Sequence, residues 1–148
     1  GRPGGTGGWA MSAAMVVETA TPSTAELLER EWLTVPEITR LTGMSRKAIE
    51  RWIYGGELET RNPRATREIR TSSLLSLFEL HGTAMRAPAA DAPFAERLTL
   101  DMDEVSKATG VQRMTLYQRI HRGSLPHARL GGKVVLLTAD LPLVRELK

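Results

Sequence analysis

The side chains of this sequence that could do chemistry fall into four short groups. Ser45, Arg46, Lys47, Glu50 and Arg51 form one, and Gln112, Arg113, Met114, Tyr117 and Gln118 a second. Arg61, Arg64 and Arg67 follow the first, and Arg129 and Lys133 follow the second. In these spacings the groups suit recognition better than the making or breaking of bonds. They fork hydrogen bonds onto planar acceptors, bring positive charge to anions, and pair with donor and acceptor edges. Bond-making chemistry is nearly absent. There is no cysteine, hence no thiolate and no disulfide. His81, His121 and His127 are scattered, so no metal site is expected. Asp101, Asp103 and Glu104 cluster, but helix capping explains them. Ser72 and Ser73 have no evident base nearby. Trp9, Trp32 and Trp52 are expected to fill space or lie in the arm rather than stack on a ligand. The expectation is no enzyme and no cofactor.

Each of the first two groups lies on a segment with helical signals. Asp101–Glu104 has the spacing of a capping box, with Thr99 or Asp101 as the cap. Gly110 then supplies a left-handed stop. A second helix is expected over Gln112–Arg122, with Leu116 and Ile120 on one face. Arg129-Leu-Gly-Gly-Lys-Val-Val135 is a hairpin signal. Helix, glycine turn, helix is the helix-turn-helix unit, and the hairpin would be its wing.

The pattern occurs twice. An offset of 67 residues, the separation of Gly43 from Gly110, aligns the two halves without a gap. Leu33 falls on Leu100, Glu37 on Glu104, Arg46 on Arg113, Ile49 on Leu116, Gly56 on Gly123, Glu79 on Glu146 and Leu80 on Leu147. The matches are caps, glycines and apolar positions, which set a fold. In the first copy Thr34–Glu37 is the capping box and Ser45 the cap of a helix over Arg46–Tyr54. Ile49, Trp52 and Ile53 are its buried stripe. Glu59–Arg70 is the wing, turning at Asn62-Pro63, and a third helix is expected over Ser72–His81. The second copy closes with a helix from Thr138–Asp140 to Lys148.

The chain has 148 residues and a net charge of +3, modestly basic and compatible with a polyanionic partner. No apolar run is long enough for a membrane span, and a reducing cytoplasm suits the composition. Residues 1–22 are expected to be a disordered arm, of which Gly1–Ala10 reads as vector-derived sequence ahead of Met11. Domain 1 is expected over 23–81, including an added helix from the Ser23–Glu26 capping box to about Trp32. An Ala/Pro linker follows at 82–96, and domain 2 at 97–148. Fully extended, such a linker reaches roughly 50 Å, unless Phe94 docks and shortens it.

The cap, the acidic residue, the Gly-apolar turn, Ser-Arg, the apolar stripe, Gly-x-Leu and a Gly-Gly wing together resemble the excisionase and MerR-like winged helix-turn-helix group. The carriers in the second copy are Asp101–Glu104, Thr109-Gly110-Val111, Arg113, Leu116-Tyr117, Ile120, Arg122–Pro126 and Arg129–Gly132. In the first they are Leu33–Val35, Glu37, Gly43–Arg46, Ile49, Ile53 and Gly56–Leu58. The first copy lacks Gly-Gly in its wing, and the second lacks the serine cap. The resemblance covers nearly everything outside the arm and linker. It implies a mainly α fold with small β-hairpin wings, in two tandem winged helix-turn-helix domains. It implies a second helix in the DNA major groove and a wing on backbone or minor groove. Ser45, Arg46, Lys47, Glu50 and Arg51, with Gln112, Arg113, Met114, Tyr117 and Gln118, then face the groove. Arg61, Arg64, Arg67, Arg129 and Lys133 form the wing set.

The physics of those residue types agrees. Arginine forks onto guanine and glutamine pairs with adenine. Glu50 can accept from cytosine or simply buffer Arg46 and Arg51. The expected function is sequence-specific binding of double-stranded DNA by a phage or mobile-element transcriptional regulator, or by an excisionase-like directionality factor. The site would be asymmetric and bipartite, and an integrase or the transcription machinery the protein partner. A monomer can suffice, in a cytoplasmic, nucleoid-associated setting. The alternatives are a DNA-packaging adaptor like a small terminase subunit, and a protein-interaction role for one copy.

Overall fold

The structure is a computed structural model and describes residues 21–147. The expectations for Gly1–Ala10 and for the arm through residue 20 lie outside the described residues. Elsewhere the chain forms short α-helices and two small antiparallel sheets, one of three strands and one of four. Strand content exceeds the mainly α expectation.

Helix α1 (Thr24–Leu28) opens on the reciprocal Ser23–Glu26 cap and buries Leu27 completely. It stops four residues short of Trp32, which lies instead in strand β1 (Trp32–Thr34). Thr34 and Glu37 form a capping box for α2 (Val35–Thr42). Gly43 closes α2 with φ 73°, and Ser45 caps α3 (Arg46–Tyr54) through the Ala48 N–H. Strands β2 (Thr60–Arg61) and β3 (Glu68–Arg70) form the first hairpin, and β1 completes the sheet against β3. Helix α4 (Thr71–Leu75) follows.

The expected helix over Ser72–His81 is corrected here. It ends at Leu75, and Phe78–His81 is strand β4. Phe78 and Leu80 alternate with Glu79 and His81, a period of two that a strand with one buried face requires. Beyond the connecting segment come β5 (Thr99–Asp101), α5 (Met102–Thr109), α6 (Arg113–His121), β6 (His127–Leu130), β7 (Lys133–Leu137) and α7 (Leu141–Arg145). Asp101, not Thr99, caps α5. The last helix is shorter than expected and is preceded by a single 3-10 turn at Thr138–Asp140.

The elements recur at the offset seen in the sequence. α2 and α5, α3 and α6, and the first residues of β1 and β5 all lie 67 apart. The local chemistry recurs too. Thr42 and Thr109 each donate to the carbonyl four residues back at 2.8 Å, and each hydroxyl accepts the N–H two residues on.

Strand β4 joins the halves. It pairs antiparallel with β6, so the second sheet runs β4-β6-β7-β5. One face of this sheet, with Phe78, Ala128, Leu130 and Val135, belongs to the core of the first half beside Ile38, Ile49 and Leu74. From the other face Val134 and Leu136 pack with Val105, Leu116 and Val144. The sheet is thus a wall shared by two cores. Halves of about 50 residues can bury little surface alone, and the shared wall offsets that.

The segment expected as an Ala/Pro linker, its rigidity left open by the sequence, is a docked strap. Leu98 is fully buried in the first core, and its N–H donates to the Leu41 carbonyl. Pro88 and Ala95 are buried, whereas Phe94 stays exposed at φ 62°. Near its start, Thr83 donates to Asp140 at 2.9 Å and Arg86 pairs with the same carboxylate. Asp140 is 2% exposed and Arg86 47%, so the two partners are unequal. Arg86→Ala strands a buried carboxylate and is expected to cost about 2–4 kcal/mol. Asp140→Asn lets Arg86 return to water and costs less. Urea unfolding of both variants measures the order, and equal losses would contradict it.

Candidate nucleic-acid interface

Helix α3 turns Ala48 and Ile49 inward because they occupy the stripe facing α2. Ser45, Arg46, Lys47 and Arg51 are left exposed, and Glu50 half-buried. Arg46 donates to Glu50 at 3.3 Å, one turn along the helix. Glu50 therefore acts as a buffer for Arg46. Lys47 and Arg51 have no ion pair among the described residues.

The first hairpin places its cations differently from one another. Arg61 donates to Glu68 at 2.8 Å, and its guanidinium lies 4.3 Å from the Trp32 ring centre. Arg70 lies 4.6 Å from the same ring. Trp32 and the two arginines form one stack that holds β1, β2 and β3 in register, more than the space-filling role expected of Trp32. Arg64 and Arg67 are unpaired among the described residues. Without glycine, the turn forces Arg64 and Ala65 to positive φ, 53° and 64°, which costs on the order of 1 kcal/mol per residue.

On α6 the groups are arranged alike but are less free. Gln112 occupies the cap position without a side-chain bond. Arg113 is held by Asp103 at 2.6 Å. Met114, Tyr117 and Gln118 are exposed, Met114 at 70%. Lys133 lies 3.6 Å from Asp101. The Gly131-Gly132 turn has both φ angles positive, 60° and 81°, as a two-residue hairpin loop requires. It is not a free wing tip. A Cβ built on Gly131 would sit 2.9 Å from the Trp52 ring of α3. The expected wing of the second half is therefore docked on the helix of the first, with exposed Arg129 on β6 lining the same seam.

Arg97, at the end of the strap, reinforces that seam. It holds Glu104 through two bonds, 2.6 and 3.0 Å, while lying against Gly43. Burial pushes the Glu104 carboxyl up. The Arg97 hydrogen bonds, the Asp101 N–H and the charges of Arg97 and Lys133 outweigh this and leave it below its ordinary value. A depressed folded value means stability that is present above the unfolded value of about 4.3 and lost as pH falls through the folded one. Glu104→Gln keeps the capping acceptor but removes the charge. It is expected to destabilise the protein at neutral pH, with the difference from wild type shrinking as pH falls below about 4.3 and gone only below the depressed folded value. Unfolding curves across about pH 3–7 check this.

The histidines, scattered in sequence, are brought together. His81 and His127 stack with ring centres 4.7 Å apart, and His121 of α6 lines a furrow with His127 and Arg129. Sequence reasoning missed this because each lies on a different element. The described residues contain no group of three or more side chains suited to a metal ion. No helix among them is long and apolar enough to cross a membrane.

No family model, no curated protein and no solved structure matches the chain.

Proposed function

We propose that the protein is a sequence-specific double-stranded DNA-binding protein built from two fused winged helix-turn-helix units. The observation that carries this reading is the duplicated helix pair, in which an outward arginine, Arg46 or Arg113, opens each second helix at the equivalent place. Capping box, left-handed glycine and nine-residue second helix are repeated, and each second helix presents polar and cationic side chains to solvent. A helix of that kind fits the major groove, where base pairs present distinct patterns. Lys47, Arg51, Arg64 and Arg67 are the phosphate-seeking set of the first unit. Gln112, Arg113, Met114, Tyr117 and Gln118 are the groove-facing set of the second. Arg61 is a structural stack member that contributes little to affinity.

The two second helices differ in sequence, so the two half-sites differ. One chain then reads an asymmetric site, as a regulator of transcription or of recombination in a phage or mobile element. The shared sheet and docked strap fix the separation of the half-sites. Anisotropy titration of mixed-sequence duplex DNA against a single strand of equal length tests the class. Preference for the duplex, weakening steeply with salt, is expected. Equal or absent binding would overturn the reading. A second reading rests on the exposure of Met114 and Tyr117, 70% and 47%. In it the second unit docks a protein. Alanine at Arg113 and Gln118 that leaves DNA affinity untouched would favour it.

A further inference from the structure

Between α6 and the shared sheet runs a furrow lined by Tyr117, Ile120, His121, His127, Arg129 and Val134, with room for about 480 Å³. We propose that it is a phosphate-binding groove, with His121, His127 and Arg129 as its ligands, that takes a DNA backbone phosphate and does so more strongly as pH falls. The inference rests on the DNA-binding reading.

Four observations carry it. The furrow brings together an arginine, two imidazoles and a phenol from two elements, and these are the groups that recognise a phosphate. Arg129 has no ion pair among the described residues. His127 Nδ1 lies 3.2 Å from the Leu125 carbonyl. A carbonyl only accepts, so Nδ1 holds the proton and Nε2 is the free ring nitrogen. Lastly, His127 stacks on His81, with the ring planes 12° apart. Two stacked imidazolium rings repel, and an anion beside them offsets that repulsion.

The charged groups around the histidines set the sign. Strand β4 contributes Glu79, whose carboxylate is 3.8 Å from His81 Nε2. Strand β6 contributes Arg129, and α6 contributes Tyr117, His121 and the neighbouring Arg122. The loop before β6 adds only Ser124 to the other side of the stack. Histidine changes charge between about pH 5 and 8. Each proton taken up on binding raises affinity by at most about tenfold per pH unit.

The test uses the full chain, duplex DNA and inorganic phosphate. Wild type is expected to bind duplex on the order of tenfold more tightly at about pH 6 than at about pH 8. His127→Gln, and the more exposed His121→Gln, should each reduce that ratio. Duplex binding whose pH dependence is absent, or unchanged in both variants, overturns the proposal. Phosphate titrated alone, followed by imidazole proton resonances, separates the sources. Shifts of His121 and His127 without any DNA binding would keep a phosphate groove while the DNA reading failed. No shift and no DNA binding would remove both.

Discussion

Alanine at Lys47, Arg51 and Arg64 together is expected to weaken duplex DNA binding by roughly two to three orders of magnitude at moderate salt, about tenfold per phosphate neutralised. All three side chains are exposed and lack ion pairs among the described residues. Nothing internal has to be broken before they meet a phosphate. The slope of log affinity against log salt should fall by about 0.9 for each phosphate no longer neutralised. Stability should change by less than about 0.5 kcal/mol, since exposed, unpartnered side chains contribute little to folding. Arg61→Ala is the informative contrast. Its guanidinium is committed to Glu68 and Trp32, so it should change stability more than the salt slope. A triple variant with the wild-type slope would remove these side chains from the interface.

Gly131→Val is expected to cost roughly 2–4 kcal/mol of stability. Two effects combine. The residue sits at φ 60°, where a β-branched side chain is strained. Any Cβ there also runs into the Trp52 ring. Gly132→Ala meets nothing within 4 Å and bears only the backbone strain, about 1–2 kcal/mol. Making the Gly131 change in a Trp52→Ala background separates the two effects. The clash component should largely disappear, leaving a remainder similar to the Gly132 cost. Chemical denaturation of the four variants measures this. Because Gly131 and Trp52 belong to different halves, the same substitution should loosen the fixed spacing of the two second helices. Equal costs at Gly131 and Gly132 would mean that the seam is not packed as described.

Short-range signals were legible in the sequence. The capping boxes at Thr34–Glu37 and Asp101–Glu104, the left-handed glycines at 43 and 110, and the Gly-Gly hairpin each depend on residues a few positions apart. Their physics is complete within one turn. Strand β4 was not legible because its pairing partner is β6, far along the chain. Read alone, the leucines and phenylalanine of 74–78 fit a helix as well. The strap escaped for the same reason. Pro- and Ala-rich sequence signals an absence of regular structure, and distant residues, Thr24, Leu41 and Asp140, show where that segment is anchored.

The candidate site was legible in its parts and not in its pairing. Which side chains face outward on α3 and α6 follows from the apolar stripe. Which of them are free does not. Arg113 is tied by Asp103 and Arg61 by Glu68, and neither pairing is set by local spacing. The docking of the second hairpin on Trp52 turned an expected wing tip into part of an internal seam. The convergence of His81, His121 and His127 likewise depends on how β4, α6 and β6 pack.

As proposed, one chain reads two unlike half-sites at a fixed separation. Selection from random duplex DNA, followed by the mass of the complex on the winning sequence, tests it most directly. One chain on one asymmetric site is expected, with affinity falling when base pairs are inserted between the halves. No enriched sequence, or several chains on a repeated half-site that tolerates any spacing, would contradict it.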